Sequence, residues 1–149
     1  GPHMCAGYWN RPEATAQAIR HGWFHTGDIA VRDTAGFYYI VDRKKDMIIT
    51  GGENVYPAEV EALMYSHPAV REVAVFGIPD PVWGETVCAV VSLKAGQQAT
   101  PEELDAYLRS NLARYKSPKR IVVVADVPKN AAGKIVRAEA RNLLDNSLR

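Results

Sequence analysis

Apolar and polar positions change period several times along the chain, and each change predicts an element. Residues 12–21, PEATAQAIRH, open with Pro12 and Glu13 and run through Ala-rich sequence to Gly22. That pattern predicts a short helix with proline in its first turn and an acid near its positive end. From Asp28 to Asp42, DIAVRDTAGFYYIVD holds two alternating runs around Asp33-Thr34-Ala35-Gly36, which predicts a β-hairpin. Met47 to Thr50 reads as a further short strand, closed by Gly51-Gly52. A helix follows, with Pro57 near its first position, Glu59 and Glu61 in its first turn, and Val60, Leu63 and Met64 on one face. His67-Pro68 stops it. VREVAVFGIP and ETVCAVVSLK predict two apolar strands about the turn-rich DPVWG. Thr100-Pro101-Glu102-Glu103 spells a capping box, and Leu104, Tyr107, Leu108 and Leu112 form the buried stripe of the helix it opens. RIVVVADV predicts another strand, PKNAAGK a loop, and Val136, Ala140, Leu143 and Leu144 a last amphipathic helix. From Lys45 onward the order β-α-β-β-α-β-loop-α argues an α+β fold, a small mixed β-sheet with packed helices.

Composition narrows the function classes without choosing one. The 149 residues are 47% hydrophobic and 23% charged, enough for one domain, or a domain plus a fragment, with a real core. Eighteen Lys and Arg against 17 Asp and Glu give a formal charge of +1, so no field argument favours nucleic acid or an anionic membrane. No apolar run reaches the roughly 20 residues that span a bilayer. Cys5 and Cys88 suggest neither a disulfide framework nor a metal site, and a reducing cytoplasm is the expected setting. Residues 1–4, GPHM, read as the remnant of a cleaved tag, and the abrupt start that follows predicts a piece of a longer protein.

Three polar stretches could carry chemistry. Asp28 of TGD could accept two hydrogen bonds from a sugar diol, since an ionised carboxylate is acceptor-only; a plain turn or cap is the alternative. In DRKKDMIITGGENVYPAEVE, Arg43 offers a rigid fork of donors that Lys44 and Lys45 cannot imitate, or the three cations simply guard a strand edge. Gly51-Gly52 is either a turn or a place where a ligand lies against the backbone. Lys134 of PKNAAGK sits on a loop from which its ammonium could swing to a developing negative charge, or it is a solvated surface lysine. His21, His25 and His67 lack metal-ligand spacing, and no Ser/His/Asp arrangement or P-loop is legible.

Taken together and in order, GWFHTGDIA, GFYYIVDRKKDMIITGGENVYPAEVE, PDPVWGETV, LARYKSPKR and PKNAAGKIVR resemble the C-terminal part of acyl-CoA synthetases, acid–CoA ligases of the adenylate-forming superfamily. The resemblance runs from about Gly7 to Leu144. It implies residues 5–43 as the tail of a large N-terminal domain, a helix and β-hairpin remnant, and 44–149 as a mobile C-terminal domain. It also implies a two-step reaction: a carboxylic acid, expected to be fatty or aromatic, attacks the α-phosphate of MgATP, and coenzyme A then displaces AMP. Mg²⁺ would be held mainly by the nucleotide and the absent domain.

The resemblance assigns roles by position. Asp28 matches the acid on the ribose hydroxyls, Arg43 the arginine beside it, and Lys45 the hinge. Lys134 matches the lysine that bridges carboxylate and α-phosphate during adenylation. Gly51, Gly52 and Glu53 match the loop along the pantetheine arm of CoA. Trp83, Tyr115 and Lys119 match positions near its nucleotide, although Trp83 and Tyr115 could equally be packing residues, and Ser117 stands where some relatives carry Arg. Lys134 is also a candidate for acetylation by an acetyltransferase. Two other readings stay open, an adenylation domain that loads a carrier protein and an isolated binding module. The fragment alone is expected to be inactive.

Overall fold

The computed structural model describes residues 1–146, so the last residues of the expected 44–149 domain lie outside the described residues. The chain divides into two compact units, Gly1–Lys44 and a second beginning at Lys45. The first contains helix α1 (Pro12–Ala18), strands β1 (Ile19–Arg20) and β2 (Trp23–Phe24), and the hairpin β3 (Asp28–Arg32) with β4 (Tyr38–Arg43). Helix α1 is shorter than the sequence pattern predicts. Ile19 is already extended and pairs with Phe24, while His21 and Gly22, both at positive φ, turn the chain back. A two-residue turn with positive φ at both central positions is the favoured way to close so tight a hairpin. In the β3–β4 turn, Asp33 accepts from the Phe37 amide at 2.9 Å and the Tyr39 hydroxyl at 3.0 Å. A bulge near Ile29 restores the register that sets Asp28 opposite Arg43. Within this unit Asp42 alone is buried; Trp23, Phe37, Tyr38 and Ile40 are exposed.

The second unit contains β5 (Ile48–Thr50), β6 (Glu53–Val55), α2 (Pro57–Tyr65), β7 (Val70–Asp80), β8 (Gly84–Leu93), α3 (Pro101–Arg109), a 3-10 turn at Arg114–Lys116, β9 (Arg120–Val124) and α4 (Arg137–Asn146). Strands β7 and β8 form a long antiparallel hairpin. On the other side of β8, β5 pairs antiparallel at its start and β9 parallel along its later residues, giving a five-stranded mixed sheet.

The sheet is covered on both faces, which is why β7 and β8 read as nearly continuous apolar runs. Val73, Val75, Val87, Ala89 and Val91 point to one face and pack with Val60 and Met64 of α2 and Leu104 and Leu108 of α3. The alternate residues Ala74, Phe76, Cys88 and Val90 pack on the other face with Ala140 and Leu144 of α4. This period-two split is what the strand pleat dictates. Helix α3 carries the capping box read from its sequence, Thr100 Oγ1 accepting from the Glu103 amide and Glu103 accepting from the Thr100 amide.

The β5–β6 connection also departs from expectation. Gly51-Gly52 does not lead from a strand into a helix; both residues have positive φ, and they join β5 to β6 as a hairpin before α2 begins. Thr50 pairs with Glu53 across that turn.

Candidate functional site

The residues singled out by sequence fall into three groups. In the first unit, Gly27 turns at φ +79 and the Asp28 amide donates to Thr26 Oγ1 at 3.1 Å, which fixes the start of β3. The Lys44 amide donates to the Gly27 carbonyl at 2.8 Å, closing the far end of β4 against the same turn. Asp28 and Arg43 thus face each other, with Arg43 Nε 3.6 Å from Asp28 Oδ1. That separation is an ion pair rather than a hydrogen bond, and it leaves the guanidinium fork, 63% exposed, available to another partner. An acceptor-only acid beside a planar cluster of donors can grip a diol next to an anion.

The second group is a cleft of about 760 Å³, and it gathers residues that are far apart in sequence. Gly51 and Glu53 come from the β5–β6 hairpin, Trp83 from the β7–β8 turn, and Tyr115 and Lys119 from the segment before β9. Gly52 occupies the tip of the same hairpin. Trp83 is held by its own turn: Asp80 Oδ1 accepts from the Val82 and Trp83 amides, both at 2.9 Å, and Asp80 Oδ2 accepts from Thr86 Oγ1 at 2.9 Å. These bonds, with the Trp83 amide foremost and the charge of Lys119 adding to them, hold the Asp80 carboxyl below its ordinary range. Lys119 Nζ lies 4.8 Å from the Trp83 ring centre, a cation–π contact. The Gly51 amide donates to the Trp83 carbonyl at 2.9 Å, and a Cβ on Gly51 would stand 2.9 Å from Trp83 Cε3. The glycine therefore makes room for this indole, an observation beyond its expected role of admitting a ligand.

Sequence reasoning missed two cations in this cleft, Arg109 at the end of α3 and Arg114 in the 3-10 turn. The signal lay in ARYKSPK, where Arg114 directly precedes Tyr115, but its orientation depends on the 3-10 turn. Lys116 pins that turn to α2 through both oxygens of Glu59, at 2.6 and 2.8 Å, which raises the lysine's pKa. Ser117 is buried and donates to Asp105, the acid that also holds Arg109 at 2.8 Å.

The third group surrounds Lys134. Its loop is an organised turn: the Asn130 amide donates to the Lys134 carbonyl at 2.9 Å, and Asn130 Oδ1 accepts from the Ala132 and Lys134 amides, both at 3.0 Å. Gly133 adopts φ +75, and Lys129 bridges Ile135. The backbone of this loop is closed on itself, and the Lys134 side chain is exposed. This turn shares no lining residue with the cleft. Lys45, the first residue of the second unit, is exposed. Among the described residues no group of three or more His, Cys, Asp or Glu could hold a metal ion, and no helix is long and apolar enough to cross a membrane.

Residues 59–134 match the family described as AMP-binding enzyme C-terminal domain. Over 147 residues the chain is 50% identical to a 2-succinylbenzoate–CoA ligase of Geobacillus sp. (strain WCH70), covering 99% of this chain and 30% of that protein. It is 53% identical over 145 residues to a long-chain-fatty-acid–CoA ligase of Bacillus subtilis (strain 168), covering 97% of this chain and 25% of the relative. The solved structure of an o-succinylbenzoate CoA synthetase from Bacillus subtilis with its acyl-adenylate intermediate aligns with a TM-score of 0.87 at 40% identity, over 95% of this chain and 29% of that one. The chain thus spans about 30% or less of the length of these relatives.

Proposed function

The chain belongs to the AMP-binding enzyme C-terminal domain family, and from that premise we propose that it works as the C-terminal part of an ATP-dependent acid–CoA ligase. In the first step a carboxylate oxygen attacks the α-phosphorus of ATP, and pyrophosphate leaves. In the second, the thiol of CoA attacks the acyl carbonyl, loses its proton, and AMP leaves. Lys134 supplies a positioned cation opposite the charge that builds during adenylation, an electrostatic role. Asp28 accepts from the ribose hydroxyls and Arg43 lies against the same nucleotide. Mg²⁺ enters with the ATP phosphates. Gly51, Gly52 and Glu53 border the pantetheine arm, while Trp83, Tyr115 and Lys119 take the nucleotide end of CoA.

One observation carries this reading. The Lys134 turn lies at the β7 edge of the sheet, where Lys129 pairs with Glu72, whereas the aromatic–cationic cleft is built from the β5–β6 hairpin, the β7–β8 turn and the 3-10 turn, and Lys134 is not part of its lining. A rigid domain with one set of groups for each half-reaction must present them in turn, and Lys45 is the hinge we assign for that motion, so that residues 44–149 move relative to 5–43. Trp23, Phe37, Tyr38 and Ile40 are large apolar side chains left exposed; we assign their cover to the N-terminal domain.

The acid is fatty or aromatic, the two classes named among the relatives. We place the reaction in the cytoplasm, consistent with free thiols at Cys5 and Cys88. Acetylation of Lys134 by an acetyltransferase would remove its charge and stop adenylation. The test is Lys134→Ala in the intact enzyme. Carboxylate-dependent ATP–pyrophosphate exchange should fall by ~10²–10³, while thioester formation from preformed acyl-adenylate is spared. Equal loss in both half-reactions would refute the assignment. Comparing free CoA with a phosphopantetheinylated carrier as acceptor separates ligase from carrier loading.

A further inference from the structure

Arg137, three residues beyond Lys134, makes more side-chain contacts than a solvated helix start requires. Its Nε donates to the Val75 carbonyl at 3.1 Å, and its Nη2 donates to both oxygens of Glu61 at 2.8 and 2.9 Å. Nη1 reaches Asp46 Oδ2 at 3.4 Å. Glu61 in turn accepts from the Val75 amide at 2.9 Å. Arg137 and Glu61 therefore take both backbone polar groups of Val75 on the open edge of β7 and bring α4, α2 and residue 46 to it. These four contacts use all three guanidinium nitrogens, whereas a lysine ammonium has three N–H donors on one atom and could meet only part of the set.

The other foot of the turn is fastened to the same edge, where Lys129 pairs with Glu72. Between the feet, the Val136 amide donates to the Pro128 carbonyl at 2.9 Å. A hollow of about 470 Å³ beside the turn is lined by Lys45, Asp46, Asn130 and Arg137. The Lys134 turn is thus clamped before and after its tip.

We infer that Arg137 is the positioning residue for Lys134: by joining the start of α4 to Val75, Glu61 and Asp46, it holds the lysine's turn at one place on the sheet edge and makes it move with residue 46. The inference rests on the catalytic reading of Lys134 given above. A displacement of about 1 Å in a supporting shell can cost ~10²-fold in rate. The plain structural alternative is that Arg137 only caps an edge strand, in which case its loss would weaken the whole domain without regard to Lys134.

A double-mutant cycle in the intact enzyme distinguishes the two. Arg137→Met should lower ATP–pyrophosphate exchange by roughly 10- to 100-fold, with little change in thioester formation from preformed acyl-adenylate. In a Lys134→Ala background the same substitution should cost nothing further, because a residue acting only through Lys134 has nothing left to position. Arg137→Lys, which keeps the charge and loses the fork, should give a smaller loss with the same non-additivity, and it is the variant to read if Arg137→Met does not fold. An equal factor in both backgrounds, or equal loss in both half-reactions, overturns the inference while leaving Lys134's role intact. Exchange unchanged by Lys134→Ala overturns the reading of Lys134 itself, and the role of Arg137 with it.

Discussion

At the scale of single residues, Gly51 and Asp80 decide how Trp83 is presented. Gly51 sits at φ +58, and a Cβ there would come within 2.9 Å of the indole. Gly51→Ala places an L-residue in the left-handed region, at a cost of about 1–2 kcal/mol, and pushes Trp83 from its place. Denaturation midpoints should fall, and the KM for CoA in the second half-reaction should rise; both unchanged would show that Trp83 tolerates the methyl. Asp80 has a lowered pKa in the folded state, so its contribution is present above its ordinary value of 3.8 and is lost as pH falls through the lowered one. The stability gap between wild type and Asp80→Asn, read from urea midpoints at pH 7, 5 and 3, should therefore narrow only at the acid end. A gap independent of pH would sink this account. The role of Gly51 is not visible in the string VWGE, because this partner of Trp83 lies thirty-two residues earlier.

At the scale of elements, legibility followed locality. The capping box of α3 is written within four residues and is found in the structure as written. Thr100→Ala should cost about 1 kcal/mol of stability by freeing the Glu103 amide. Urea unfolding measures this, and a loss below a few tenths would mean Glu103 finds another way to satisfy the helix start. The β5–β6 hairpin is also written locally, as Gly51-Gly52 between two short β-prone runs, but the strand at Glu53–Val55 is three residues long and runs straight into the proline-led helix, which masks its alternation. Helix α1 ends earlier than its local composition predicts. Its Ala-rich composition favours helix through His21, but pairing of Ile19 with Phe24 wins, because a hairpin satisfies backbone groups that an isolated short helix end leaves open.

At the scale of the molecule, the second unit has a two-sided core and the first has exposed aromatic faces. The chain by itself should show no carboxylate-dependent ATP–pyrophosphate exchange; robust exchange would overturn the expectation that it is inactive alone. Lys45→Pro in the intact enzyme should stiffen the proposed hinge and slow passage between half-reactions more than adenylation itself. Single-turnover measurement of each step decides it, and equal slowing would return Lys45 to an ordinary exposed lysine.

What the amino-acid string determined alone is what short-range chemistry encodes: strand alternation, proline and glycine punctuation, one helix cap, and the ordered motifs that identify the family. Tertiary structure alone decided which of those motifs meet. It brought Gly51, Trp83, Tyr115 and Lys119 to one cleft together with the unforeseen Arg109 and Arg114, and it closed Arg137 on Glu61 and Asp46. These meetings join residues dozens of positions apart. They depend on the register of β7 against β8 and on a 3-10 turn, which are set by burial of the whole sheet between its helices rather than by any local pattern.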